Sequence, residues 1–407
     1  MTHGLTRRRN LRTGKPVWAA YRHFVPTEHR LRRSTRADVV VIGAGITGSL
    51  VAQRLCAIGR RPLILERRRG AMLGSTAAST ALLQFELDTP LVHLARKIGK
   101  RAAGRAWLCS RAAVSELRTQ AHRLGIQARL ESRPSLYLAG DLLDANGLRR
   151  EALARQKLGL PSEFLERRQL QHHFNIERSA AILSHGNAEA DPVALATGFL
   201  RHAIRAGARL HAPHEVTDLT CGRRDVTIAT ADGLEIRARH VVVCTGYELP
   251  KIVPASKHQI YSTWAMATAP QPQKLWPQRA LIWEASDPYL YARATADGRV
   301  ICGGEDEEFS NAERRDALIR QKTARLATKL EKLFPQLDTR AAFAWTGSFG
   351  GSASGTPSFG PIPGHPRCFA VLGYGGNGIT FSMLAASMIA NAVRGRPDSD
   401  AGVFAFE

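Results

Sequence analysis

Ala37-Asp-Val-Val-Val-Ile-Gly43-Ala-Gly45-Ile-Thr-Gly48 is the stretch from which the fold can be read. Its continuous run of β-branched residues, without alternation, is what a strand buried on both faces of a parallel sheet requires. The glycines at 43, 45 and 48 match the GxGxxG pattern. The first permits a tight turn, the second lets a pyrophosphate approach the backbone, and the third lets a helix pack on the strand. From Ser49 to Gly59 the apolar residues follow a helical period. The start of such a helix offers free N–H groups and a positive dipole end to phosphates. Arg61-Pro-Leu-Ile-Leu-Glu66 then reads as a second strand, its terminal carboxylate 18 residues past Gly48, where it can accept ribose hydroxyls. This βαβ opening predicts a dinucleotide-binding domain. Arg67 and Arg68 follow at once and could serve a 2′-phosphate instead.

Working outward, Thr89 to about Arg178 is helical in pattern, with apolar periodicity over 91–98, 107–124, 148–158 and 165–174. Asp191-Pro192 caps a further helix to about Arg205. Short strands follow around Val216, over 226–229 and 235–238, and in the apolar run Val241-Val-Val-Cys244. Residues 258–304 alternate as antiparallel strands do, with Ala296-Asp-Gly298 as a hairpin turn. Asn311 to Phe334 reads as one long helix ended by Pro335, and Ile379 to Arg394 as the last helix.

Length and composition agree with this. The 407 residues suffice for two interleaved domains, and 44% hydrophobic with 23% charged residues excludes a disordered or fibrous chain. No apolar run is long enough to span a bilayer, and the Arg-rich segment up to Arg36 is no secretory signal, so a cytoplasmic location is expected. The net charge is +22, from 57 Lys+Arg against 35 Asp+Glu. Because the arginines are scattered, a solvated basic surface and a preference for acidic substrates are favoured over a nucleic-acid partner. The six cysteines are dispersed, with no zinc spacing among Cys and His, so reduced thiols and no metal are expected.

NAD-dependent dehydrogenases also open with GxGxxG, but three segments favour FAD. Gly74-Ser-Thr-Ala-Ala-Ser-Thr80 is small and hydroxyl-rich, suited to lining a pyrophosphate and a flavin. Val241-Val-Val-Cys-Thr245-Gly246 is a buried strand ending in Thr-Gly. Gly373-Tyr-Gly-Gly-Asn-Gly378-Ile-Thr380 opens the last helix, whose N–H groups suit the negative N1–C2=O edge of a reduced flavin.

With Asp297-Gly-Arg-Val-Ile-Cys-Gly-Gly304 and Trp345-Thr-Gly-Ser-Phe349, these motifs resemble the glycine/D-amino-acid oxidase (DAO-like) family of FAD-dependent oxidoreductases over about residues 36–395. The resemblance implies an α/β fold: a Rossmann-like FAD-binding domain of GR2 type interleaved with an antiparallel-sheet α+β substrate domain. The expected division is a basic arm (1–35), an FAD domain (36–88, 191–250, 344–395), a substrate domain (89–190, 251–343) and a tail (396–407). By motif position Gly43, Gly45, Gly48, Glu66 and Arg67 would bind the ADP half, with Val216 near the adenine. Ser75, Thr76 and Ser79 would face the pyrophosphate and flavin, beside Thr245 and Gly246. Gly376, Asn377, Gly378, Ile379 and Thr380 would line the flavin. No histidine follows the Gly-Ser segment, so FAD is expected to be held non-covalently. The Asp-Gly-Leu-Pro stretch usual in the family stands here as Ser358-Phe-Gly-Pro361.

The resemblance implies oxidation of the C–N bond of an amine or amino acid. Hydride passes from the α-carbon to flavin N5, the imine hydrolyses in water, and oxygen or an electron-transfer acceptor takes up the electrons. Positioning dominates such a reaction, and no acid–base triad is required. The histidines at 93, 172, 173, 258 and 365 have no catalytic spacing. Strand alternation puts Tyr289, Tyr291 and Arg293 on one face, near Trp283, with Tyr261 and Trp264 as further candidates. That face is either the roof over the flavin or solvent-exposed sheet. If the substrate carries a carboxylate, Arg293 is its guanidinium partner. Glu305-Asp-Glu-Glu308 reads as a solvated acidic loop. Two alternatives use the same motifs: action on a modified tRNA base, and a non-catalytic nucleotide-binding protein.

Overall fold

The computed structural model describes residues 4–24, 26–254 and 258–406; positions 1–3 and 25 of the expected arm, 255–257 of the substrate segment and 407 of the tail lie outside these. The strand Thr35–Ile42 occupies the middle of a sheet, with Leu63–Leu65 and then Arg209–His211 on one side. On the other side lie Glu235–Val243 and then Cys368–Leu372, and all five run parallel. Both faces are covered, as the apolar run requires. Val39, Val41 and Ile64 pack under the helices Ile46–Ala57, Pro192–Arg205 and Gly378–Val393. Val40, Ile42, Leu63 and Leu65 pack under an antiparallel meander of Val216–Cys221 and Val226–Thr230.

A second, ten-stranded sheet is mostly antiparallel, and Ala341–Ser352, His258–Thr268, Val300–Glu307 and Leu290–Ala294 form its centre. One face buries Trp264, Met266 and Leu290 against the helix Ile319–Leu333. The chain crosses between the sheets repeatedly, which gives the interleaved architecture.

Several elements differ from the sequence reading. Glu131–Leu138 and Ser162–Glu166 are strands inside the stretch read as helical, because sheet pairing with Ala180–Glu189 outweighs their weak periodicity. The long helix 311–334 is two, Ala312–Ala317 and Ile319–Leu333, with Asn311 capping the Arg314 N–H of the first. Residues 4–24 are not a free arm. Leu5, Leu11, Val17 and Trp18 are buried, and Arg12–Gly14 pairs with Ala341–Ser352. That last strand runs whole in the antiparallel sheet, although its second part was expected in the nucleotide domain. Cys221 and Cys368 bring their sulfurs to 3.0 Å, and all six cysteines are free thiols.

One buried ion cluster fixes the segment Gln84–Asp88, which leads from the edge strand Leu82–Leu83 of the second sheet to the helix Leu91–Ile98. Arg155, with no exposure, donates from Nε to Glu151 at 2.8 Å and lies 4.0 Å from Glu86. Both Glu151 oxygens accept the Leu91 and Val92 N–H groups at 2.9 Å, and Ser135 donates to Glu86. The guanidinium sits 4.5 Å over the Trp107 ring. Arg155→Met leaves two buried carboxylates uncompensated and should lower stability by about 3–5 kcal/mol, read as a fall in the thermal unfolding midpoint.

Candidate functional site

The two glycine loops and the face of the antiparallel sheet open onto one cleft. Gly43 adopts φ +107°, and a Cβ there would overlap the Cys244 carbonyl oxygen; a Cβ on Gly48 would overlap the carbonyl oxygen of Gly43 itself. The helix Ile46–Ala57 therefore begins pressed onto its own loop. No side chain of its N-cap, Gly45, satisfies its N-terminal N–H groups; Thr76 Oγ1 accepts one, from Ile46, at 3.0 Å. Glu66 is buried, and its two oxygens accept the N–H groups of Ala44 and Arg68 at 2.8 Å. Burial pushes its carboxyl above the usual range, opposed by those two hydrogen bonds and by Arg68 and Arg67. Each oxygen keeps a lone pair for a ribose hydroxyl.

Arg67 and Arg68 both pair with Glu248, the latter at 3.1 Å, and Arg67 lies 3.9 Å from Glu215. Both guanidiniums are thus held by carboxylates at this end of the cleft, beside Val216. The Ser75 hydroxyl is buried without a hydrogen-bond partner among the described residues and lines the cleft, as a pyrophosphate or flavin contact would require. Ser79 accepts from the Ala81 N–H, and Gly246 adopts φ +60° next to Thr245. Of the residues assigned to the cofactor by motif position, all but Gly48 and Thr380 line the cleft. Gly48 supports the loop from beneath, and Thr380 donates to the Gln84 carbonyl at 3.0 Å. Asn377 likewise donates to the Glu86 carbonyl, which ties the start of the C-terminal helix to Gln84–Asp88. The shaped glycine loops, the open helix start and the orphaned Ser75 fit FAD.

Beyond this loop the wall is aromatic. Trp283, Tyr289, Tyr291, Tyr247 and Phe349 line it, with Trp283 stacked on Tyr137 at 3.7 Å. Tyr289 donates to Asp306 at 2.6 Å. Asp306 is therefore not part of a solvated loop; burial pushes its carboxyl up to about 6, against hydrogen bonds from Thr263 and Tyr289. Tyr291 lies across Gly303, with its hydroxyl beside Thr80 and Thr263. Asp88 is exposed where it lines the cleft; the surrounding protein pushes its carboxyl above the usual range, opposed by the Gly376 N–H, which its Oδ2 accepts at 2.7 Å.

Arg293 does not reach the cleft. It is 2% exposed, donates to the carbonyls of Thr80, Ala294 and Ala190, and pairs with Glu189 at 3.2 Å. It braces two backbone segments. Tyr261 stacks on Phe349 outside the cleft lining, and Trp264 sits on the opposite face of the sheet, in the core, donating to the Arg315 carbonyl. The sequence reading missed Asp88, Gln84, Tyr247 and Phe349. Alternation through Leu83-Gln-Phe-Glu-Leu-Asp88, with 83, 85 and 87 buried in the core, was the available signal for Gln84 and Asp88. Tyr247 and Phe349 carry no such signal.

The model of the family described as FAD dependent oxidoreductase matches residues 38–392. The chain is 22% identical over 381 residues to the probable oxidoreductase OrdL of Haemophilus influenzae, covering 90% of this chain and 84% of that protein. It is 27% identical over 263 residues to γ-glutamylputrescine oxidoreductase of Escherichia coli, covering 63% and 54%. The fold superposes on the crystal structure of L-proline dehydrogenase from P. horikoshii with a TM-score of 0.76 at 18% identity, over 91% of this chain and 97% of the other.

Two outcomes follow from this geometry. Gly48→Ala forces the loop and helix apart, so the variant should purify with little bound FAD, measured as flavin per chain. Arg293→Met removes a buried partner of Glu189 and should destabilise the fold by about 3–5 kcal/mol. Activity per bound flavin should then change by the same factor for amino acids and for amines without a carboxylate.

Proposed function

The chain belongs to the FAD-dependent oxidoreductase family, and from that premise we propose that it oxidises the C–N bond of an amine or amino acid. The substrate nitrogen, uncharged, gives up a proton as the α-carbon gives up hydride, and water hydrolyses the resulting imine to a carbonyl compound and ammonia, or an amine where the nitrogen is substituted. Bound FAD supplies the two-electron acceptor, and oxygen or an electron-transfer acceptor then removes the electrons. The observation that carries this reading is one continuous cleft. It runs from the Gly43–Gly48 loop to a chamber walled by Trp283, Tyr289 and Tyr291, with the Gly376–Gly378 loop between them.

In this reading Gly43, Gly45 and Glu66 hold the ADP half and Ser75 and Thr76 the pyrophosphate, and the N–H groups at Asn377 to Ile379 face the flavin. The aromatic wall orients the substrate and excludes bulk water, which strengthens every polar contact inside. Two similar proteins named above, for γ-glutamylputrescine and for L-proline, are named for nitrogen compounds, which supports the bond class.

His214 and Cys244 are the histidine and cysteine that line the cleft among the described residues. His214 Nε2 already accepts the Leu31 N–H at 2.6 Å, and burial raises the Cys244 thiol far above its ordinary value. Neither is disposed to attach a flavin covalently. The purified protein should therefore be yellow, and acid denaturation should leave its FAD in the supernatant; flavin retained on the precipitate would show a covalent link. Without oxygen, an amine or amino acid should bleach the flavin. Bleaching by hydroxy acids or alcohols alone would overturn the C–N assignment.

A further inference from the structure

Resting on the C–N reading above, we infer that the substrate is an aliphatic diamine or similar cationic amine without a carboxylate, with Asp88 as its charge anchor. The charged side chains lining the cleft fall into two sets. At the Val216 end, Glu66, Glu215 and Glu248 face Arg67 and Arg68, and the set is largely self-compensated. At the aromatic end, Asp88 is the charged side chain that lines the wall among the described residues, and Asp306 stands one layer behind on the Tyr289 hydroxyl.

The buried cations among the described residues are already taken. Arg293 is held by Glu189 and three carbonyls, Arg155 by Glu151, Lys322 by Glu305 and Glu307, and Arg315, which donates to the cleft-lining Ser348, by Asp316. The neutral Gln84 lines the cleft with 8% exposure, and its amide Nε2 has no partner among the described residues. It offers a hydrogen bond without a charge.

A substrate carboxylate brought here would be desolvated without a cation to compensate it and would face the charge of Asp88. Uncompensated burial of an ion is among the costliest events in a protein interior. An ammonium meets the reverse situation. Asp88 Oδ2 accepts the Gly376 N–H, and its Oδ1 accepts no hydrogen bond among the described residues. Tyr289 and Tyr291, with ring centroids 6.0 Å apart, line the same wall as Trp283, and aromatic rings attract cations. The amine that is oxidised must be uncharged when hydride leaves. A carboxylate anchor therefore suits a second, distal ammonium, and a diamine supplies both forms.

The test uses pairs that differ only by the carboxylate: 1,4-diaminobutane against ornithine, and 1,5-diaminopentane against lysine. Flavin reduction in the holoenzyme is followed without oxygen, and binding of non-oxidisable tetraethylammonium and of acetate is read from the flavin spectrum. The diamines should reduce the flavin at least tenfold more efficiently than their amino acids, and tetraethylammonium should bind where acetate does not. Asp88→Asn should weaken diamine and tetraethylammonium binding at least tenfold, and Asp88→Glu should restore much of it at equal flavin content. Faster reduction by the amino acids, or Asp88→Asn without effect on cation binding, overturns the inference and leaves the C–N reading standing. Failure of every amine and amino acid, with Asp88-dependent tetraethylammonium binding intact, overturns the C–N reading and leaves the cation site standing.

Discussion

The contact of Gly48 with the carbonyl of Gly43 is the constraint on which the rest of the site depends. A helix can start this close to the strand before it only where no Cβ intervenes. That closeness brings the open N-terminus of Ile46–Ala57 to the cleft floor and lets the Glu66 carboxylate hold the loop through the Ala44 N–H. The loop in turn lies against Cys244, at the end of the neighbouring parallel strand, so the nucleotide end is set by sheet packing rather than by mobile side chains.

The other half of the site depends on the segment Gln84–Asp88. Its carbonyls accept from Asn377 and Thr380, its Phe85 N–H donates to Asn187, and Glu86 belongs to the buried Arg155 cluster. Polar groups buried this way hold position because leaving any of them unpaired is costly. Asp88, at the end of the segment, is therefore delivered to the same place as the start of the C-terminal helix. The aromatic end of the cleft and the Gly373–Gly378 loop are built from one hydrogen-bonded unit, contributed by residues almost 300 positions apart in sequence.

The charge of the protein is distributed unlike its average. The chain carries +22 overall, yet the aromatic end of the cleft presents a carboxylate. The buried arginines outside the cleft are held in ion pairs with carboxylates, as at Arg293–Glu189, Arg155–Glu151 and Arg315–Asp316. A formal excess of arginine thus says little about the polarity of a site, because a single guanidinium can hold several backbone carbonyls together, as Arg293 does.

The sequence by itself determined the βαβ opening, its glycine loop and the antiparallel second sheet, because each is written in local patterns: β-branched runs, glycine spacing, alternation and turn residues. The motif positions at Gly43, Glu66, Ser75 and Gly376 need little more than their neighbours to be recognised. What only the tertiary structure decided is which side chains share the aromatic end of the cleft. Strand phase put Tyr289, Tyr291 and Arg293 on one face, but phase does not say what covers that face. Thr80, Glu189 and Ala190 close over Arg293, while Tyr289 and Tyr291 remain open to the cleft. Alternation through Leu83–Asp88 gives the phase of Asp88, but its meeting with the Gly376 loop, and the placing of Asp306 behind the Tyr289 hydroxyl, come from packing that leaves no local pattern to read.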